Sequence, residues 1–156
     1  MRGKSAPKRE IQADVRYHDL DVAKFMNYVM KGGKKTIAEK IIYGSFDIIK
    51  EKTKQDPRHV FNKAIKQVGP QLEVRGRRVG GANYQIPYPV RPERRFALSC
   101  RWIINGAKSH KGRSMAEKLA AEIMDASRGE GAAMKKKMDV QRMAEANKAF
   151  AHFARY

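Results

Sequence analysis

Apolar residues recur at three- and four-residue intervals along nearly all of this chain and lose that spacing in one tract, Gln71 to Val90. A helix buries a stripe with a period of 3.6 residues and a strand buries alternate residues, so this single interruption limits the fold. A mainly α protein carrying one β-hairpin satisfies the pattern. Within the tract Gly80-Gly81 separates two arms rich in branched and aromatic residues, Leu72, Val74 and Val79 before it and Tyr84, Ile86, Tyr88 and Val90 after it. Two glycines between such arms are a hairpin signal. Pro87 and Pro89 donate no ladder hydrogen bond, so the second arm keeps one side away from other strands and the hairpin is expected to project.

Six helices account for the remainder. Leu20 to Lys31 places Val22, Phe25, Met26, Val29 and Met30 on one face, with Asp19 as cap and Gly32-Gly33 as stop. The second helix, expected from Thr36 to Lys54, buries Ile37, Ala38, Ile41, Ile42, Ile48 and Ile49. Asp56-Pro57 opens a third, with Val60, Phe61, Ala64, Ile65 and Val68 inward and Gly69-Pro70 ending it. A fourth runs from Pro92 to Ser109, burying Phe96, Cys100, Ile103 and Ala107. Ser114 and Glu117 have capping-box spacing for a fifth, which carries Met115, Leu119 and Ile123 and stops at Gly129. From Ala132 onward one last helix is expected to bury Val140, Met143, Ala144, Phe150, Ala151 and Ala154. The expected organisation is a basic arm at 1–18 followed by one helical domain at 19–156, a six-helix bundle with a protruding hairpin.

Charge narrows the function. Thirty-four Lys and Arg against sixteen Asp and Glu leave a formal +18, which repels itself and is relieved by a polyanion whose counterions are released on binding. The basic residues are spread over the chain instead of lying along one amphipathic helix, which favours nucleic acid over a membrane surface. Cys100 is the only cysteine, so the protein is not a disulfide-built secreted scaffold, and a cytoplasmic setting is expected. Arg2, Lys4, Lys8 and Arg9 stand in a segment with no apolar run, which is not a secretory signal and is read as a mature basic arm, with an organellar presequence as the weaker alternative because Glu10 and Asp14 are out of place in one.

Enzyme motifs fail one by one. Gly33-Lys34-Lys35-Thr36 resembles the end of a phosphate-binding loop, but Tyr28 occupies the position of the earlier glycine and no strand precedes it. Gly129-Glu130-Gly131 lacks the third glycine of a dinucleotide site. The four histidines are scattered, one cysteine cannot build a thiolate zinc site, and Cys100 falls on a packing face. No catalytic group, metal or cofactor is expected.

Cationic surfaces are better defined. Arg94, Arg101 and Lys108 recur every seven residues on the helical face opposite Phe96, Cys100, Ile103 and Ala107, with Arg95 adjoining. Between Val74 and Pro92 there is no acidic residue, while Arg75, Arg77, Arg78 and Arg91 accompany Tyr84 and Tyr88. Arginine forks match phosphates and aromatic rings stack on unpaired bases, although cross-strand packing explains the two tyrosines equally well. Lys31, Lys34 and Lys35 form a basic knot at the start of the second helix, whose dipole reinforces it. Lys111 and Arg113 follow the fourth helix, and Lys135-Lys136-Lys137 is read as an RNA contact or a solvated run.

Five segments, KRE at 8–10, MKGGKKTIAEKIIYGSF at 30–46, GRRVGGANYQIPYPV at 76–90, RWIINGAK at 101–108 and RMAEANKAFAH at 142–152, resemble the seventh family of small-subunit ribosomal proteins in its bacterial and organellar form, nearly end to end. The chain departs from the family pattern at Asp14-Val15, where Asp-Pro is usual, and at Val140-Gln141. The resemblance implies a primary binder of ribosomal RNA that nucleates assembly of the small-subunit head on the 3′ major domain, in a cytoplasmic or organellar ribosome. It implies neighbouring head and platform proteins as partners, and proximity of the tip, Val79, Gly80, Gly81, Ala82, Asn83 and Tyr84, to exit-site transfer RNA and the outgoing messenger. Basic helical composition by itself also permits a DNA-binding regulator, which would prefer duplex and would need a helix able to specify base edges. An enzyme acting on RNA is the third reading.

Overall fold

In a computed structural model the described residues are 3, 6–7 and 9–155, with side chains left undescribed at 79 and 153–155. Six helices form, α1 (Leu20–Val29), α2 (Lys35–Thr53), α3 (Pro57–Val68), α4 (Pro92–Ser109), α5 (Met115–Arg128) and α6 (Gly131–Ala146). Strands β1 (Leu72–Val79) and β2 (Ala82–Pro89) stand between α3 and α4, and a 3-10 segment, Lys148–Arg155, closes the chain.

Local chemistry sets the helix starts. The carboxylates of Asp19 and Asp56 accept from the amides of Asp21 and Arg58, Pro57 needs no donor at its position, and Ser114 caps Glu117 while donating to its carboxylate. Between α1 and α2 the chain turns through Gly32 and Gly33, both at positive φ. α1 stops two residues earlier than its spacing predicts, because Met30 turns extended (ψ 136) while its amide still reaches Met26 O.

α5 lies at the centre, touching α2, α3, α4 and α6. Its Leu119, Ala120, Ile123 and Ala126 are completely buried and meet Ile42, Phe46 and Ile49 of α2, Phe61 and Val68 of α3 and Cys100 and Ile103 of α4 in one core. Each large side chain in that set contributes about 1.5–3 kcal/mol of burial free energy. Phe25, Phe46 and Phe61 form a tilted aromatic row with centroid separations of 5.0 and 5.7 Å.

Before α1 the chain is tied down. Asp14 is buried and its carboxylate accepts from the amides of Arg16 and Tyr17 and from the Tyr43 hydroxyl at 2.6 Å. Burial, with that hydrogen bond, pushes the Tyr43 hydroxyl up to about 12. Tyr17 packs edge-on against Phe46 at 5.2 Å. Val15, the position of the departure from the family pattern, is 86% exposed and so carries none of this anchoring.

Two expectations for the helices are corrected. Ile37, expected in the core, is 51% exposed, because the first turn of α2 borders an open groove. The last helix is not continuous. At Asn147 the side-chain amide donates to Met143 O and the chain passes into the 3-10 segment, a competition with the helix ladder to which asparagine is suited. The expected stripe breaks accordingly: Ala144 is buried, Val140 and Phe150 half-buried, Met143 and Ala151 exposed, and the side chain of Ala154 is outside the described set.

The strands pair antiparallel from Leu72↔Pro89 to Val79↔Ala82 around Gly80 and Gly81, both at positive φ as a two-residue turn requires. Alternation puts Glu73, Arg75 and Arg77 on the same face as Tyr88, Ile86 and Tyr84. That face is not open along its length: Ile86 is completely buried, β1 touches α6, and Tyr84 packs on Phe150 of the 3-10 segment at 5.0 Å. The tip itself stands clear, since a Cβ at Gly80 or Gly81 would meet nothing within 4 Å.

Candidate nucleic-acid interface

α4 sorts its two faces as its spacing predicts. Cys100, Ile103 and Ala107 are fully buried and Arg94, Arg101 and Lys108 exposed, but Phe96, expected on the buried face, is only half-buried and borders a cleft. Burial drives the Cys100 thiol well above its ordinary range, so it packs as an apolar group and is poorly suited to act as a nucleophile. Arg101 lies 5.9 Å from the centroid of Tyr28, an α1 ring whose part in this surface the sequence did not reveal. Further along that side Arg9 joins Ile11, Lys24, Tyr28 and Phe96 around a shallow cleft, with Lys24 5.6 Å from the Phe96 centroid.

At the base of the ribbon one carboxylate organises two arginines. Glu73, its side chain 10% exposed, accepts from Arg94 Nε at 3.2 Å and from Arg75 Nη2. Burial opposes its ionisation, but the two guanidiniums outweigh burial and hold the carboxyl below its usual range. Arg75 also lies 5.5 Å from the centroid of Tyr88, which accounts for that ring by packing within the hairpin. Arg77 is half-buried on the covered face, while Arg78 is exposed on the other, so these two do not form one patch. Arg91 is exposed at the N-cap of α4.

Arg95 and Lys137 share a cleft of about 360 Å³ with Gly69, Leu72, Gln141 and Glu145. A Cβ at Gly69 would come within 2.6 Å of Arg95 Nε, so the glycine makes room for the guanidinium. Lys137 donates to Gln67 O, and burial followed by the Arg95 charge lowers its ammonium. The lysine run therefore divides, with Lys137 tied to α3 and Lys135 and Lys136 exposed.

Lys31, Lys34 and Lys108 come together around the groove that Ile37 borders. Lys35 is exposed on the first turn of α2, and Lys111 and Arg113 are exposed in the turn between α4 and α5. Arg2, Lys4 and Lys8 lie outside the described residues.

A fully buried carboxylate, Glu122, also escaped the sequence reading. It accepts from Ala133 N at 2.8 Å and faces His110 Nε2 at 3.2 Å, and so caps α6, whose own N-cap residue Glu130 makes no such bond. Its spacing, three residues after Leu119 and four before Ala126, put it on the buried face of α5, while its place opposite Gly106 is set only by packing. These groups are structural. Among the described residues no cluster of three or more His, Cys, Asp or Glu could hold a metal ion, and no helix is long and apolar enough to cross a membrane.

A helical body with arginine and lysine on one face of α4, at the base of the ribbon and around the start of α2 is suited to binding a polyanion. The sequence pattern described as ribosomal protein S7p/S5e matches residues 1–148, and the chain belongs to that family of small-subunit ribosomal proteins. It is similar to the small ribosomal subunit protein uS7 of Carboxydothermus hydrogenoformans, 60% identical over 147 residues covering 94% of each chain. The proteins of the same name from Magnetococcus marinus, 55% identical over 97% of each, and Thermotoga neapolitana, 58% identical over 98% of this chain and 99% of the other, are likewise similar. Ribosomal RNA is accordingly its polyanion, and its role is in the ribonucleoprotein that carries out translation.

Proposed function

We propose that this protein is a primary ribosomal-RNA binder which nucleates head assembly on the 3′ major domain of the small subunit. Its RNA-binding residues are proposed to be Arg9, Lys31, Lys34, Lys35, Arg75, Arg78, Arg91, Arg94, Arg95, Arg101, Lys108, Lys111 and Arg113, with Arg77 contributing from the ribbon's covered face and Arg2, Lys4 and Lys8 from the arm. The observation that carries this reading is α4, where the Arg94, Arg101 and Lys108 stripe is exposed along the helix whose other face buries Cys100, Ile103 and Ala107. A rigid helix holding three cations at fixed spacing fixes register on a phosphate backbone. Head and platform proteins are the proposed protein neighbours, and the ribosome of the cytoplasm the proposed setting.

The tip from Val79 to Tyr84 takes a second role in this reading, beside exit-site transfer RNA and the outgoing messenger. Support comes from Gly80 and Gly81, which have open space around them. At the foot of that segment Tyr84 packs on Phe150, which holds the tip to the rest of the ribbon. Footprinting the purified protein on a 3′-domain RNA fragment and on duplex DNA of equal length tests the proposal. Protection confined to the RNA supports it, and equal or stronger protection of the duplex would support a DNA-binding regulator instead.

A further inference from the structure

The groove between the end of α1 and the start of α2 combines features that a plain phosphate-binding surface does not need. Its volume is about 310 Å³, and Val29, Met30, Ile37, Ala38, Ile41, Ile104 and Met115 make its floor and walls. Lys31, Lys34 and Lys108 line it with three ammonium groups, and among the described residues no carboxylate lines it. No side chain caps the first turn of α2 and no acidic residue lies in that turn, so its leading amides add to the positive potential.

We infer that this groove receives one unpaired nucleotide of the RNA, its base against the Ile37, Ile41 and Ile104 floor and its flanking phosphates on Lys31, Lys34 and Lys108. The inference rests on the RNA-binding reading above and adds a subsite to it. Size favours this occupant, because the volume is at the small end of ligand pockets. An amphipathic peptide helix would need a row of anchor sites along a longer groove. Charge favours it too, since an apolar floor with a cationic rim complements a base between two phosphates. RNA read in single-stranded loops presents such splayed bases.

The test is a methyl NMR titration of the intact protein, with Ile37, Ile41 and Ile104 assigned, using hexaadenylate, sodium polyphosphate and decanoate as probes. A base in the groove places its ring current on these methyls, so hexaadenylate is expected to move them upfield and polyphosphate is not. Ile37→Trp, which fills the groove without altering charge, is expected to abolish the methyl shifts and weaken hexaadenylate about tenfold, the scale of one lost base contact. Lys34→Gln supplies a second variant with the floor intact, expected to weaken hexaadenylate while the residual complex keeps the upfield shifts. Unmoved methyls in a saturated hexaadenylate complex would overturn the subsite and leave the RNA reading standing. Equal shifts with polyphosphate, or shifts with decanoate alone, would overturn it in favour of a bare phosphate or an acyl chain. Failure of the protein to bind the 3′-domain fragment at all would instead remove the RNA reading itself.

Discussion

Single residues separate stability from binding on α4. Ile103 is fully buried and Arg101 exposed, so Ile103→Ala is expected to cost about 2–5 kcal/mol through the cavity it leaves. Arg101→Ala should leave denaturant melts nearly unchanged and weaken RNA binding. Gly106 is equally constrained, because a Cβ there would lie 2.6 Å from Glu122 Oε1, the carboxylate that caps α6. Gly106→Ala should therefore destabilise the fold by about 1–3 kcal/mol as Glu122 is displaced, and a thermal melt showing no loss would contradict the capping role. At Glu73 the sign follows from its lowered carboxyl. Its contribution is fully present above the ordinary carboxylate value and is lost as pH falls through the depressed one. Acidification should loosen the ribbon base, seen as faster amide exchange around Arg75 and Tyr88, and Glu73→Gln should abolish that pH dependence.

Among the elements, the ribbon divides into an anchored base and an open tip. Replacing residues 78–83 by a short turn is expected to preserve the fold and most ribosomal-RNA affinity, because Ile86 and the Tyr84–Phe150 contact remain. Transfer-RNA release and reading-frame maintenance should change on small subunits reconstituted with the shortened chain. Wholesale loss of RNA binding by a folded, shortened protein would make the tip a primary anchor. The helices and hairpin were legible because period, caps and the glycine pair are local signals. What covers the ribbon was not, since it depends on Asn147 turning the end of the chain out of α6. The carboxylates of Asp14 and Glu122 were missed for a related reason, as their partners, Tyr43 and Ala133, are set by packing between segments. Ile37 had a core residue's spacing, but periodicity gives a face and not the neighbour opposite it.

For the whole molecule, the formal +18 is spread along the chain, with the α4 stripe, the ribbon base and the start of α2 as its cationic surfaces on one helical core. No single cation dominates such a surface, and several are partly neutralised where they stand, Arg75 and Arg94 by Glu73 among them. Affinity should come from many phosphate contacts held in register, and the carboxylate between those two arginines keeps them placed while leaving a net positive charge. The same distribution explains how the sequence pointed to a polyanion while leaving individual contacts open, since charge is counted residue by residue and patches form only in three dimensions. The most direct measurement is the salt dependence of binding to a 3′-domain RNA fragment. A surface releasing counterions from six to ten phosphates should lose about 10³- to 10⁵-fold in affinity between about 50 and 200 mM salt, with a linear log–log slope. An affinity that stays flat across that range would contradict the account.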